Sequence, residues 1–180
     1  MANLIDTKEK TLTIDINSPI ESITKVNGDS KQCLQGLLTH AHEVVMLGQN
    51  WSDHIFQSEY EEMLSRFIDG NTKLTILLCS DIRYPSPAYI SKHLKFGNEA
   101  KVKAYLVDNA VSTSLFRLNE SKLPEYPIIG DDRMYHLRSY EVKGTNKVWF
   151  SRTSLNDTRA VKSIRNRFDA LLSLPTTARY

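Results

Sequence analysis

Five histidines, His40, His42, His54, His93 and His136, are the first residues to weigh as metal ligands or general bases. His40 and His42 stand two apart, so on a helix their side chains diverge and cannot share one ion. Neither HExxH nor CxxC occurs, and no metal or cofactor is expected. GxGxxG, GxxxxGK[ST] and GxSxG are absent too, which removes the usual phosphate cradles and the nucleophile elbow. The adjacent carboxylates Asp131 and Asp132 remain, between Gly130 and Arg133. Their first reading is turn chemistry, because aspartate and glycine tolerate left-handed backbone. Their second is chemistry: the pair could hold a divalent cation or act as a base, Asp131 working with His136 in a cleft.

Cations gather late in the chain. Arg133, Arg138, Lys143, Lys147 and Arg152 are followed by Arg159, Lys162, Arg165 and Arg167, with Tyr135, Tyr140 and Trp149 interleaved. Such a group can meet phosphates with charge and bases with rings, so nucleic acid is a candidate partner. The same residues along a helix also describe an ordinary solvated surface. The candidate ligand or phosphate contacts are Arg133, His136, Arg138, Arg159, Lys162 and Arg165. A net charge of +2 does not by itself demand an anionic partner.

These residues need a scaffold. With 180 residues, 41% of them apolar and 24% charged, the chain suits one globular domain over residues 1–180, in which 1–29 supply an N-terminal strand and connection. No apolar run approaches the ~20 residues of a membrane span. The start lacks a basic-then-apolar leader, so a cytoplasmic protein is expected. Cys33 and Cys79 read as small apolar fillers in a reducing compartment.

Residues 11–16, TLTIDI, alternate like an edge strand. A helix over 31–42, capped by Ser30, leads into the short apolar run of 43–48, which suits a strand covered on both faces. Ser52 or Asp53 caps a second helix that Gly70 closes as a left-handed residue. KLTILLC at 73–79 is the next strand, Ser86-Pro87 opens a third helix ended by Gly97, and 101–107 form another strand. That β-α-β-α-β order predicts an α/β fold, a mixed and largely parallel sheet flanked by helices on both faces. After Asp108, residues 114–118, 126–129, 134–138 and 147–152 read as short strands joined by turns. Asn156 or Asp157 caps a closing helix lined by Ala160, Val161, Ile164, Phe168, Leu171 and Leu172, with Pro175 beyond it.

With these elements in place, the order resembles one half of a phospholipase D-like fold. LLTHAHEVVMLGQNWSD is similar to that family's opening helix and strand, KLTILLCSD to its second strand and KVKAYLVD to its third. YPIIGDDRMYHLR resembles the hairpin that carries the H-x-K-x4-D motif. Laying Asp131 on the motif's last position puts Pro124 at the nucleophilic histidine and Tyr126 at the phosphate-holding lysine, while Arg138-Ser139 replaces the glycine-serine. The resemblance thus implies the fold without the covalent phosphodiesterase route, since proline brings no nucleophile and tyrosine no fixed cation. It also implies a homodimer, because two halves face each other in active members. The expectation is a non-catalytic module that binds a protein partner or itself. Whether its N-terminal strand pairs within or between subunits is open at this stage.

Overall fold

The structure is a computed structural model that describes residues 21–22, 29–79, 85–94, 101–116, 125–143, 146–175 and 177–179. In chain order the elements are β1 (Glu21–Ser22), α1 (Asp29–His40), β2 (Glu43–Gly48), a 3-10 turn (His54–Phe56), α2 (Ser58–Asp69), β3 (Lys73–Leu78) and α3 (Ala88–Leu94). They continue with β4 (Val102–Leu106), α4 (Asn109–Leu115), β5 (Glu125–Gly130), β6 (Met134–Lys143), β7 (Asn146–Ser154), α5 (Thr158–Leu172) and β8 (Ala178–Arg179). Among the described residues the strands form one eight-stranded sheet in the order β1-β7-β6-β5-β2-β3-β4-β8.

The expected mixed α/β sheet is present, but its parallel part is confined to the β2–β3 and β3–β4 pairs; every other pairing is antiparallel. The physical reason lies in the connections. Helices return the chain between β2, β3 and β4, whereas the three-residue turn 131–133 reverses it directly between β5 and β6. The strand expected at 11–16 lies outside the described residues. β1 pairs with β7 of its own chain, Glu21 opposite Ser154 and Ser22 opposite Thr153.

The apolar run of β2 is explained by its two neighbours. Val44 and Met46 join one core layer with Leu34, Leu37 and Leu38 of α1 and Leu64, Phe67 and Ile68 of α2. Val45 and Leu47 join the other with Val161, Ile164, Phe168 and Leu171 of α5. Alternate side chains point to opposite faces, so a strand covered twice must be apolar throughout. Burial of each such side chain contributes about 1.5–3 kcal/mol, enough to fix register against a one-residue slip.

Three local readings are corrected. Residues 114–118 were expected to be a strand; instead α4 occupies Asn109–Leu115, because Asp108 Oδ1 accepts the Val111 amide at 2.9 Å and starts a helix. Gly70 ends α2 at φ −68°, not in the left-handed region. An added Cβ there would stand 3.2 Å from the Phe67 carbonyl oxygen, so the glycine serves close approach. Helix α1 begins at Asp29, ahead of the expected Ser30 cap. Gly97 lies outside the described residues. Asp157, of the two candidates, caps α5 by accepting the Ala160 amide at 2.8 Å. No helix among the described residues is long and apolar enough to cross a membrane.

Candidate functional site

The β5–β6 hairpin has two ends, and the residues singled out for chemistry divide between them. At the turn, Asp131 takes a positive φ of 50°. Its Oδ1 accepts the amides of His42 (2.9 Å) and Glu43 (2.8 Å), and its own amide donates to the Glu43 carbonyl at 2.8 Å. The exposed His42 ring stands 3.5 Å from Oδ2. Arg165 reaches over from α5 to donate to the Asp131 carbonyl at 2.5 Å, and the Asp157 amide donates to the Arg133 carbonyl at 2.7 Å. Asp131 therefore joins the start of β2 to the hairpin, while Asp157 and Arg165 hold α5 against the same turn. Its carboxylate is a structural acceptor.

The opposite end carries Tyr126, buried and in register with Arg138 of β6. Arg138 is 2% exposed and Asp53 8%. Its Nη1 donates to Asp53 Oδ1 at 3.0 Å and its Nη2 to the Leu47 carbonyl at 3.3 Å. Asp53 also accepts the amides of Gln49 (3.2 Å) and Ile55 (3.3 Å), so the segment after β2 is folded around that carboxylate. Trp51 closes the segment against Phe56, ring centroids 5.2 Å apart. Burial, then the charge of Glu59, pushes the Tyr60 hydroxyl above its usual range; Arg138 opposes this and Asp53 adds to it.

His136 is fully buried between the strands, with Nδ1 2.7 Å from the Thr153 hydroxyl. The proposed partnership of Asp131 with His136 is not built. Asp131 serves backbone amides at the turn, while His136 sits opposite Ile128 and Thr153 inside the sheet. Among the described residues no three of His, Cys, Asp and Glu gather where a metal ion could be held.

The candidate phosphate contacts do not form one surface. Arg138 is buried on Asp53, Arg165 is engaged at the turn and Arg167 donates to the Leu115 carbonyl at 3.1 Å. Arg133 is half-buried, whereas Arg159 and Lys162 are exposed on α5. Pro124 lies outside the described residues, as do the side chains of Tyr140, Lys143, Lys147 and Trp149. A groove of about 510 Å³ runs between α1 and α2, with Lys31 and Gln35 on one wall and Glu59, Glu62 and Met63 on the other.

Sequence reasoning missed two residues. Asp53 was read as a helix cap; it does accept an amide at the 3-10 turn, but its main partner stands 85 positions away. Glu125, at the head of β5, is 9% exposed, and burial raises its carboxyl above the ordinary range while Arg152 and Arg167 pull it down. A lone acidic residue between Pro124 and Tyr126 was the available signal.

The sequence matches no protein-family model and no curated protein. In structure it is similar to NucT from Helicobacter pylori, at a TM-score of 0.56 and 14% identity over 86% of this chain and 96% of NucT. It is similar to phosphatidylserine synthase from Haemophilus influenzae Rd KW20 at a TM-score of 0.51 and 8% identity, over 91% of this chain but 39% of the synthase. TrmBL2, an archaeal chromatin protein that binds DNA, aligns at a TM-score of 0.47 and 15% identity, over 88% of this chain and 54% of its own length. At such identities the likeness is one of architecture. The chain has a phospholipase D-like α/β fold.

Proposed function

We propose that this chain is a phospholipase D-like module, cytoplasmic and homodimeric, that acts by binding a protein partner or itself and has no covalent phosphodiesterase chemistry. The observation that carries the reading is the state of Tyr126 and Arg138. Where the resemblance implies a phosphate-holding lysine, β5 presents a buried tyrosine. The arginine across the ladder is held by Asp53 and a carbonyl, so its charge is already balanced. Phosphoryl attack needs a nucleophile and a cation that the substrate can reach. Pro124 supplies no nucleophile. The free thiols of Cys33 and Cys79 suit a reducing compartment.

Purified protein incubated with bis(4-nitrophenyl) phosphate and with single-stranded DNA is expected to give no turnover above a buffer blank. Light scattering at micromolar concentration is expected to give twice the monomer mass. Hydrolysis that follows the protein through successive columns overturns the first half of the reading, and the monomer mass alone overturns the second.

Nucleic-acid binding is the second reading, favoured by Arg159 and Lys162, exposed three residues apart on α5. It predicts affinity for DNA or RNA that falls about tenfold or more between low and physiological salt. A flat titration at low salt removes it.

A further inference from the structure

The groove of about 510 Å³ between α1 and α2 takes one face from each helix. Lys31, Gln35 and Leu38 line it from α1, and Glu59, Glu62 and Met63 from α2. Both helices finish at the same end of the sheet, because α1 leads into β2, α2 into β3, and those strands are parallel. The Lys73 amide joins the two ends by donating to the His42 carbonyl at 2.8 Å. With 12 residues in each helix, the trough is about 18 Å long. Its floor is apolar: Leu38 and Phe67 are buried, and Met63 is half-buried against the same core. Much of its polar lining is already paired. The Thr39 hydroxyl donates to the Gln35 carbonyl at 2.7 Å, Arg66 to Glu62 at 2.5 Å and the Thr72 hydroxyl to the Phe67 carbonyl. Such a trough gives a small polar ligand few directed partners, and gives an apolar stretch of chain a surface to lie on.

We infer that this groove is the docking site of the chain's own residues 8–14, which lie outside the described residues. Leu12 and Ile14 take the floor beside Met63, and Lys8 and Lys10 meet Glu59 and Glu62. The chain enters the described structure at Glu21, opposite Ser154, which in turn stands opposite Tyr135. That is the end of the sheet where Gly130 meets Val44 and both helices finish. From β1 to β2 is four strand spacings, about 19 Å, and the chain from Ile14 to Glu21 reaches about 24 Å. Lys8, Lys10, Leu12 and Ile14 alternate in the sequence, so an extended segment turns all four to one side. The two apolar side chains then enter first, and the two lysines reach the far end, where Glu59 stands in the first turn of α2. A tethered segment competes for the groove at a local concentration of about millimolar, ahead of a dilute free partner. The inference goes beyond the binding-module reading, because it needs neither a second copy nor an anionic partner.

The test is NMR on the whole 180-residue chain, labelled at the methyl groups of Ile, Leu and Met. Nuclear Overhauser contacts are expected from Leu12 and Ile14 to the Met63 methyl. Their absence overturns the docking. Contacts that arise only between differently labelled copies in a mixed sample also overturn it, in favour of a second chain's segment. Trypsin gives an independent reading by cutting after Lys8 and Lys10. Glu59→Gln combined with Glu62→Gln, both at exposed positions, should speed those cuts about threefold or more. Lys162→Glu, exposed on α5, should leave the rate unchanged. Equal rates in the parent and the double variant, or equal acceleration by the α5 change, would sink the proposal. Self-association and hydrolysis are read in other assays, so the failure of either leaves this result separate.

Discussion

The two ends of one hairpin hold together by different means. At the turn, Asp131 satisfies backbone amides in a half-exposed position, and most of what it needs is supplied by its own residue type. At the other end, Arg138 and Asp53 form an ion pair that is almost wholly out of water. An exposed carboxylate that loses a partner finds water; a buried one does not. The turn should therefore bend under substitution and the buried end should break.

The largest effect is expected from Arg138→Met, which strands Asp53 in the interior. Denaturant unfolding should show a loss of about 3–5 kcal/mol. Arg138→Lys should recover only part of it, because one ammonium cannot span both the carboxylate and the Leu47 carbonyl as a fork does. At the turn, Asp131→Ala should cost about 2–3 kcal/mol, the sum of two lost amide partners and an alanine forced to positive φ. Asp131→Asn should cost less than about 1 kcal/mol, since asparagine accepts hydrogen bonds and tolerates that backbone. Equal losses for alanine and asparagine would remove the distinction drawn between the ends.

Smaller again is Asp157→Ala, the cap of α5, at about 1 kcal/mol in the same unfolding measurement. The smallest effect concerns acidity. Glu125 has a raised folded-state pKa, so its contribution is present below the ordinary carboxylate range and is lost as pH rises through the folded value. Melting temperature should then slope downward from mild acid toward neutrality by more in the parent than in Glu125→Gln. Identical slopes would show that burial of this carboxyl does not set its proton affinity.

How much of this could be read from residues alone follows the same division. The strands β2 and β3, the helix face of α5 and its Asp157 cap were legible because period and residue type are local signals. Asp131 was legible as a turn residue for the same reason. Helix α4 was not, since apolar residues 115 and 116 invite a strand while the deciding cap, Asp108, sits well upstream. The pairing of Arg138 with Asp53 was beyond reach. Topology, and not sequence distance, brings β6 alongside the end of β2, by way of β5. An arginine counted among surface cations thus turned out to be a core residue.

The account turns on whether the charge of Arg138 is engaged inside the fold or held for a ligand. A double-mutant cycle on Asp53→Ala and Arg138→Ala, read by urea unfolding, tests this most directly. Engagement predicts that the two losses overlap, with a coupling of about 2 kcal/mol or more. Losses that add to within about 0.5 kcal/mol would contradict it and return Arg138 to the residues available for binding.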